Sequence, residues 1–172
     1  MIEVLGRGRG QPSANRRADV GTASYDYAMY AVILAAVDGS SRARGVVDAA
    51  LEMADRFDAR VHLFRSVAVP QDFPAAAHMP PDHLAAFLEN EARQSLTALA
   101  AGHPRAQIEA PEITPVQPWR AILGAAAKLD VDLIVIGSHG HRRWDRILGT
   151  NASKVADHAD RSVLVVHERP GA

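Results

Sequence analysis

Residues 30–37 run apolar without alternation and stop at Asp38-Gly39. A short run closed by turn residues predicts a strand buried on both faces. Behind it, Val46, Val47, Ala50, Leu51, Ala54 and Phe57 recur at helical spacing, with Ser40 or Ser41 placed to cap. Residues 61–67 predict a second strand. Residues 70–81 hold four prolines and read as a loop long enough to serve as a flap. Asp82 is placed to cap a longer helix that carries Leu84, Leu88, Ala92, Leu96 and Leu99 on one face. Residues 107–113 predict a weak third strand. Pro118 sits where a first-turn proline belongs, ahead of Ile122, Leu123, Ala126 and Leu129. Residues 131–136 form a fourth strand, 137–149 a loop, the stretch to about His158 a short helix, and 162–166 a fifth strand.

Alternating strands and helices, with strands apolar on both faces, predict an α/β fold. It is a five-stranded parallel sheet with helices on both faces, Rossmann-like in plan. Such sheets bind ligands beyond the carboxyl ends of their strands, where strand order reverses. The ends to inspect are Asp38, Ser66–Val67 and Gly137.

Composition narrows this picture. The chain has 172 residues, no cysteine and a net charge of -1. It suits one domain over 29–168, between a Gly- and Arg-rich tail at 1–28 and a short tail at 169–172. Gly6, Gly8 and Gly10 follow no strand, so they are not a dinucleotide fingerprint. Absent cysteine excludes disulfides and thiolate chemistry. Near-neutral charge argues against nucleic acid or an acidic membrane as partner. No stretch approaches the ~18 apolar residues of a membrane helix, and the N-terminus lacks a signal's apolar run. The expectation is a soluble, cytoplasmic protein.

The stretch that carries chemistry is Ile136-Gly137-Ser138-His139-Gly140, then eight residues, then Gly149-Thr150-Asn151. Glycines at a strand exit permit positive φ and close backbone approach to a ligand. Gly149-Thr150-Asn151 opens a helix, whose free N–H groups and positive dipole end suit phosphate. Thr150 and Asn151 add side-chain donors, and Arg142, Arg143 and Arg146 make the loop basic. A turn from strand to helix needs glycine and a polar cap in any case. Asp38 tips the balance, because it ends the first strand at the same sheet edge. A carboxylate there can accept hydrogen bonds from a ribose diol, although Asp-Gly-Ser is also turn chemistry.

Val37-Asp38-Gly39-Ser40, Asp132-Leu-Ile-Val-Ile-Gly-Ser-His-Gly140, Gly149-Thr150 and Val163-Leu-Val-Val166, in that order, resemble the universal stress proteins over about residues 30–168. The resemblance implies the adenine nucleotide alpha hydrolase-like variant of the fold and, usually, a homodimer. It also implies the ATP-binding pattern Gly-x2-Gly-x9-Gly-Ser/Thr. Here Gly137, Gly140, Gly149 and Thr150 match it with an eight-residue spacer. By resemblance, Gly137 approaches the ribose, while Gly140, Gly149, Thr150 and the N–H of Asn151 hold phosphates. Asp38 meets adenine and ribose, Ser66 or Val67 touches adenine, and Ala36 stands where many nucleotide-binding members have proline.

His139 and His141 space like metal ligands but have no third ligand nearby, so His139 is read as lining the phosphate cleft or facing solvent. His62 reads as a satisfied strand residue, and His158 suits a helix C-terminus. Trp119 and Trp144 read as packing or interface residues. No Gly-x-Ser-x-Gly elbow and no Walker A loop is present. The expected function is a regulatory stress-response protein that binds ATP, with or without Mg²⁺. It signals to a protein partner, and no residue is placed by sequence to activate water. The alternatives are a nucleotide-independent interaction module of the same fold and a slow ATPase. Ser162, Val163, Leu164, Val165 and Val166 would form an apolar edge strand, the expected seam of a homodimer.

Overall fold

A computed structural model of the chain describes residues 29–68, 80–114, 117–138 and 150–167. The strands are β1 (Val32–Val37), β2 (Arg60–Ala68), β3 (Ala106–Ile108), β4 (Glu112–Thr114), β5 (Leu133–Gly137) and β6 (Ser162–Val166). The helices are α1 (Ala43–Phe57), α2 (Pro81–Ala100), α3 (Pro118–Lys128) and α4 (Thr150–His158). The sheet is parallel throughout, in the order β3-β2-β1-β5-β6, and β4 pairs with the far end of β2. The predicted architecture is therefore present, with one change. The expected third strand at 107–113 is two strands, broken at Glu109-Ala110-Pro111. Proline has no N–H to give to a ladder, and strands break at it readily.

Central β1 explains the unalternating sequence of residues 30–37. Its Ile33, Leu34 and Ala35 are fully buried because helices cover both faces. Ile33, Ala35 and Val37 pack with α1 residues, Val61, Leu63 and Leu96. Leu34 and Ala36 pack on the other face with Phe64, α3 residues Ala121, Ile122 and Ala126, and α4 residues Ala152 and Val155. Both Pro81 and Pro118 open their helices, where a missing N–H costs no intrahelical bond. Asp82 is thus inside α2, and Pro80 occupies the cap position expected of it. Nor does a side chain cap α1 at its N-cap, Arg42. Instead Ser40 Oγ accepts the Arg42 N–H at 3.3 Å, so the predicted serine acts from two residues earlier.

Polar ties fix the elements against one another. Asp132 Oδ2 accepts the N–H groups of Ala31 and Val32 at 2.8 and 2.9 Å, which locks the entry of β5 to that of β1. His62 is 8% exposed, and its Nδ1 lies 2.6 Å from Glu109 Oε1, so this strand histidine is satisfied as expected. Arg161 lies before β6 and donates through Nη1 to the carbonyls of Ala126 and Val131, each at 2.8 Å. Those carbonyls close α3 and lead into β5, so a single guanidinium joins three elements. Among the described residues no helix is long and apolar enough to cross a membrane.

Hydrogen bonds to a charged group are the strong ones, and Arg161 is only 13% exposed. Arg161→Ala is expected to lower unfolding free energy by about 1.5–3 kcal/mol in urea titration, because both carbonyls lose a charged donor and Ala126 keeps only the Val131 N–H at 3.1 Å.

Candidate functional site

The site is set by strand lengths. β1 pairs with β2 as far as Val37↔Arg65 and then leaves the sheet. β2 continues through Ser66, Val67 and Ala68, now paired only with β4. On the other flank β5 runs to Gly137, which pairs with Val166 of β6. The chain after β1 packs α1 on one face, and the chain after β5 packs α4 on the other. Two helices that leave adjacent strands in opposite directions open a crevice at the strand ends. Asp38 follows the last residue of β1 at this end of the sheet, Ser66–Ala68 carry β2 past it, and Thr150 opens α4.

Asp38 is half-buried and does local work as well. Its Oδ1 accepts the Ser40 N–H at 3.1 Å and the Ser40 hydroxyl at 2.7 Å, so the turn out of β1 is built on this carboxylate. Of the two readings of Asp-Gly-Ser, the turn is the one seen directly: Asp38 shapes it through Ser40.

Gly39 does not take positive φ, and what stands closest to it is the guanidinium of Arg65. A Cβ there would lie 2.6 Å from Arg65 Nη2. The Arg65 guanidinium therefore lies across the turn. Sequence reasoning missed this residue; an arginine interrupting an apolar strand at residue 65 was the available signal.

Gly137 is a buried strand residue and, contrary to the expectation for strand-exit glycines, does not take positive φ. Its place in the β5–β6 ladder holds the backbone extended. Thr150 and Asn151 begin α4, exposed and half-buried respectively, with no acidic residue in the first turn to compete for an anion. Ala36 is buried beneath the crevice, and Ser66 and Val67 are half-buried on its β2 wall. His139, Gly140, Arg142, Arg143 and Gly149 lie outside the described residues, as do Trp144 and positions 69–79 of the proline-rich loop. So does the His139–His141 pair. Among the described residues no group of three or more His, Cys, Asp or Glu is arranged to hold a metal.

Trp119 packs as expected, against the cluster between α3, α4 and the sheet. It tilts against His158 with ring centroids 4.7 Å apart and donates its indole N–H to Gln117 Oε1. Lys154 donates to the same oxygen at 3.0 Å, which ties α4 to the start of α3.

Residues 29–167 match the model of the Universal stress protein family. The chain belongs to that family. A curated relative, universal stress protein A homolog 1 of Coxiella burnetii, is 34% identical over 143 residues, 80% of this chain and 96% of its own. A solved member from Burkholderia pseudomallei is 26% identical, with a TM-score of 0.64 over 80% of this chain and 96% of that one. Two more distant structures share the fold over 80% of this chain. One is a universal stress protein in complex with cAMP, 23% identical, TM-score 0.55, covered over 97% of its length. The other is from Archaeoglobus fulgidus in complex with dAMP, 20% identical, TM-score 0.54, covered over 98%.

The Gly39 geometry gives a direct check. Gly39→Ala displaces only the far end of a flexible side chain and strains no backbone. It is expected to cost less than about 1 kcal/mol in urea titration, well below a rigid core overpacking. A larger loss would show that Arg65 is held rigidly across the turn.

Proposed function

We propose that this universal stress protein binds an adenine nucleotide, ATP, across the crevice between β1 and β5 and uses it as a regulatory signal. The observation that carries the reading is the early exit of β1. It leaves the Ser66–Val67 edge of β2 without a strand partner on the β1 side. The chain offers groups of suitable chemistry for each part of the ligand. First-turn N–H donors of α4 and the Thr150 hydroxyl suit phosphates, with Gly140, Gly149, Arg142, Arg143 and His139 from the preceding loop. Asp38 suits the ribose hydroxyls, with Gly137 beside it, and the β2 edge suits the base. Mg²⁺ would travel with the triphosphate and not as a resident ion. The cAMP and dAMP complexes of more distant members of the fold support an adenine ligand.

The test is acid release of ligand from purified protein, followed by calorimetric titration of emptied protein with ATP. Bound or titratable ATP is expected. Gly149→Val should weaken binding at least about tenfold, since a side chain there blocks backbone approach to phosphate. Absence of ATP by both routes would favour the nucleotide-independent module, to which the eight-residue spacer points.

The protein acts, in this reading, as a homodimer joined through β6. Ser162, Val163, Leu164, Val165 and Val166 are all half-buried, and β6 ends the sheet with its outer edge unpaired among the described residues. An apolar open edge favours pairing with a second copy. Light scattering at micromolar concentration should give a mass of twice 18.5 kDa; a mass of 18.5 kDa would refute the dimer.

A further inference from the structure

The two helical layers of this fold carry opposite charge. On one face of the sheet, α1 has Asp48, Glu52 and Asp55 against Arg44 and Arg56, and α2 has Asp82, Glu89 and Glu91 against Arg93. On the other face, α3 has Arg120 and Lys128 with no acidic residue, and α4 has Lys154 against Asp157. Most charges of the acidic layer are matched locally. Arg44, Arg56 and Arg93 meet Asp48, Glu52 and Glu89 one turn away at 3.4, 2.7 and 3.1 Å, and Arg105 meets Asp55 at 3.6 Å. Glu91 is exposed and meets no cation among the described residues. One turn before it on the same flank of α2 stands Phe87, 58% exposed. A lone surface phenylalanine is ordinary, but this one stands beside an unmatched carboxylate.

The basic layer holds the complement. Trp119 is half-buried, with the Arg120 guanidinium 5.1 Å and the Lys154 ammonium 5.8 Å from its ring centroid. Arg120 is exposed, and Lys154 is held by the neutral oxygen of Gln117, so neither cation meets a carboxylate among the described residues. Each patch is thus an aromatic ring beside charge that lacks a counter-charge, and the two signs are opposite. Protein interfaces use aromatic and arginine anchors for affinity and charge pairs for register. A net charge of -1 leaves whole molecules with little mutual repulsion. The patches sit in opposite layers, so within one chain they do not meet. We infer that the Phe87–Glu91 flank of α2 docks on the Trp119–Arg120–Lys154 patch of a second copy, ring against ring and carboxylate against cations. The two surfaces differ, so the contact runs head to tail and adds copies in a row, unlike an isologous seam through β6. It needs no nucleotide and is independent of that reading.

Sedimentation velocity of the full chain over a range of concentrations tests this. The Debye length is ~30 Å at about 0.01 M salt and ~3 Å at about 1 M. At the low salt the average mass should rise with protein concentration. At the high salt it should stay flat, at whatever value the apolar β6 edge sets. Phe87→Ser and Glu91→Lys should each weaken the low-salt association roughly tenfold, and both residues are exposed, so the core stays intact. Arg120→Glu combined with Lys154→Glu should weaken it as much. Mixing that double variant with Glu91→Lys should restore association, because native and reversed surfaces then pair in both directions. A flat mass for wild type at low salt would overturn the inference and leave the Phe87 flank to a different protein. Low-salt association that survives the Phe87 and Glu91 variants would also overturn it, and so would a mixture that stays as dissociated as its parts.

Discussion

The whole arrangement depends on β1 being shorter than β2. A parallel sheet is held by its ladder, and every strand gains by continuing it. β1 gives up three residues of pairing that β2 goes on to make with β4. What ends it is the turn at Asp38, whose carboxylate takes over the hydrogen bonds of Ser40. Beyond Arg65, β2 has no β1 partner, and it is along this edge that the proposed nucleotide would meet backbone donors and acceptors.

The rest of the core is arranged so that this can be tolerated. Helices close both faces of β1, and its interior residues are fully buried. At the opposite edge of the sheet, where no ligand is expected, polar groups are met within the chain. Asp132 binds the entry of β1, and Arg161 binds the carbonyls between α3 and β5. One end of the sheet is thus tied off, while at the other the Ser66 Oγ is buried with no hydrogen-bond partner. On the proposed reading, that asymmetry separates stability from recognition along the strand direction.

Much of this was legible in the sequence. Unalternating apolar strands gave away a sheet covered on both faces, and Asp38 and Gly137 marked where β1 and β5 end. Parallel pairing followed from the intervening helices. Pairwise and local details were less legible. Nothing in residues 107–113 except Pro111 marks a break, and β-branched and polar residues there suit one strand as well as two. Cap positions were read from residue type, yet backbone geometry put Pro80 and Arg42 there instead. The role of Gly39 could not be read at all. It depends on Arg65, a residue 26 positions later that only strand pairing brings alongside. The orphaned hydroxyl of Ser66 is likewise a property of three-dimensional surroundings, since any serine in a strand looks the same in sequence.

The helix proposed to meet the phosphates is lightly anchored. α1 buries Ala43, Val46, Val47, Ala50, Leu51 and Ala54, whereas α4 buries only Ala152 and Val155. Those two residues share a cluster with Val163 and Val165 of β6, the open edge of the sheet. A ligand that draws on the first turn of α4 therefore pulls on a helix seated directly against the edge strand. Coupling between two sites requires an element that both can bias. α4 meets that condition with one layer of side chains between its axis and β6. On the proposed reading, a nucleotide signal need not cross the molecule to reach the proposed dimer seam; it has only to shift a lightly held helix resting on β6.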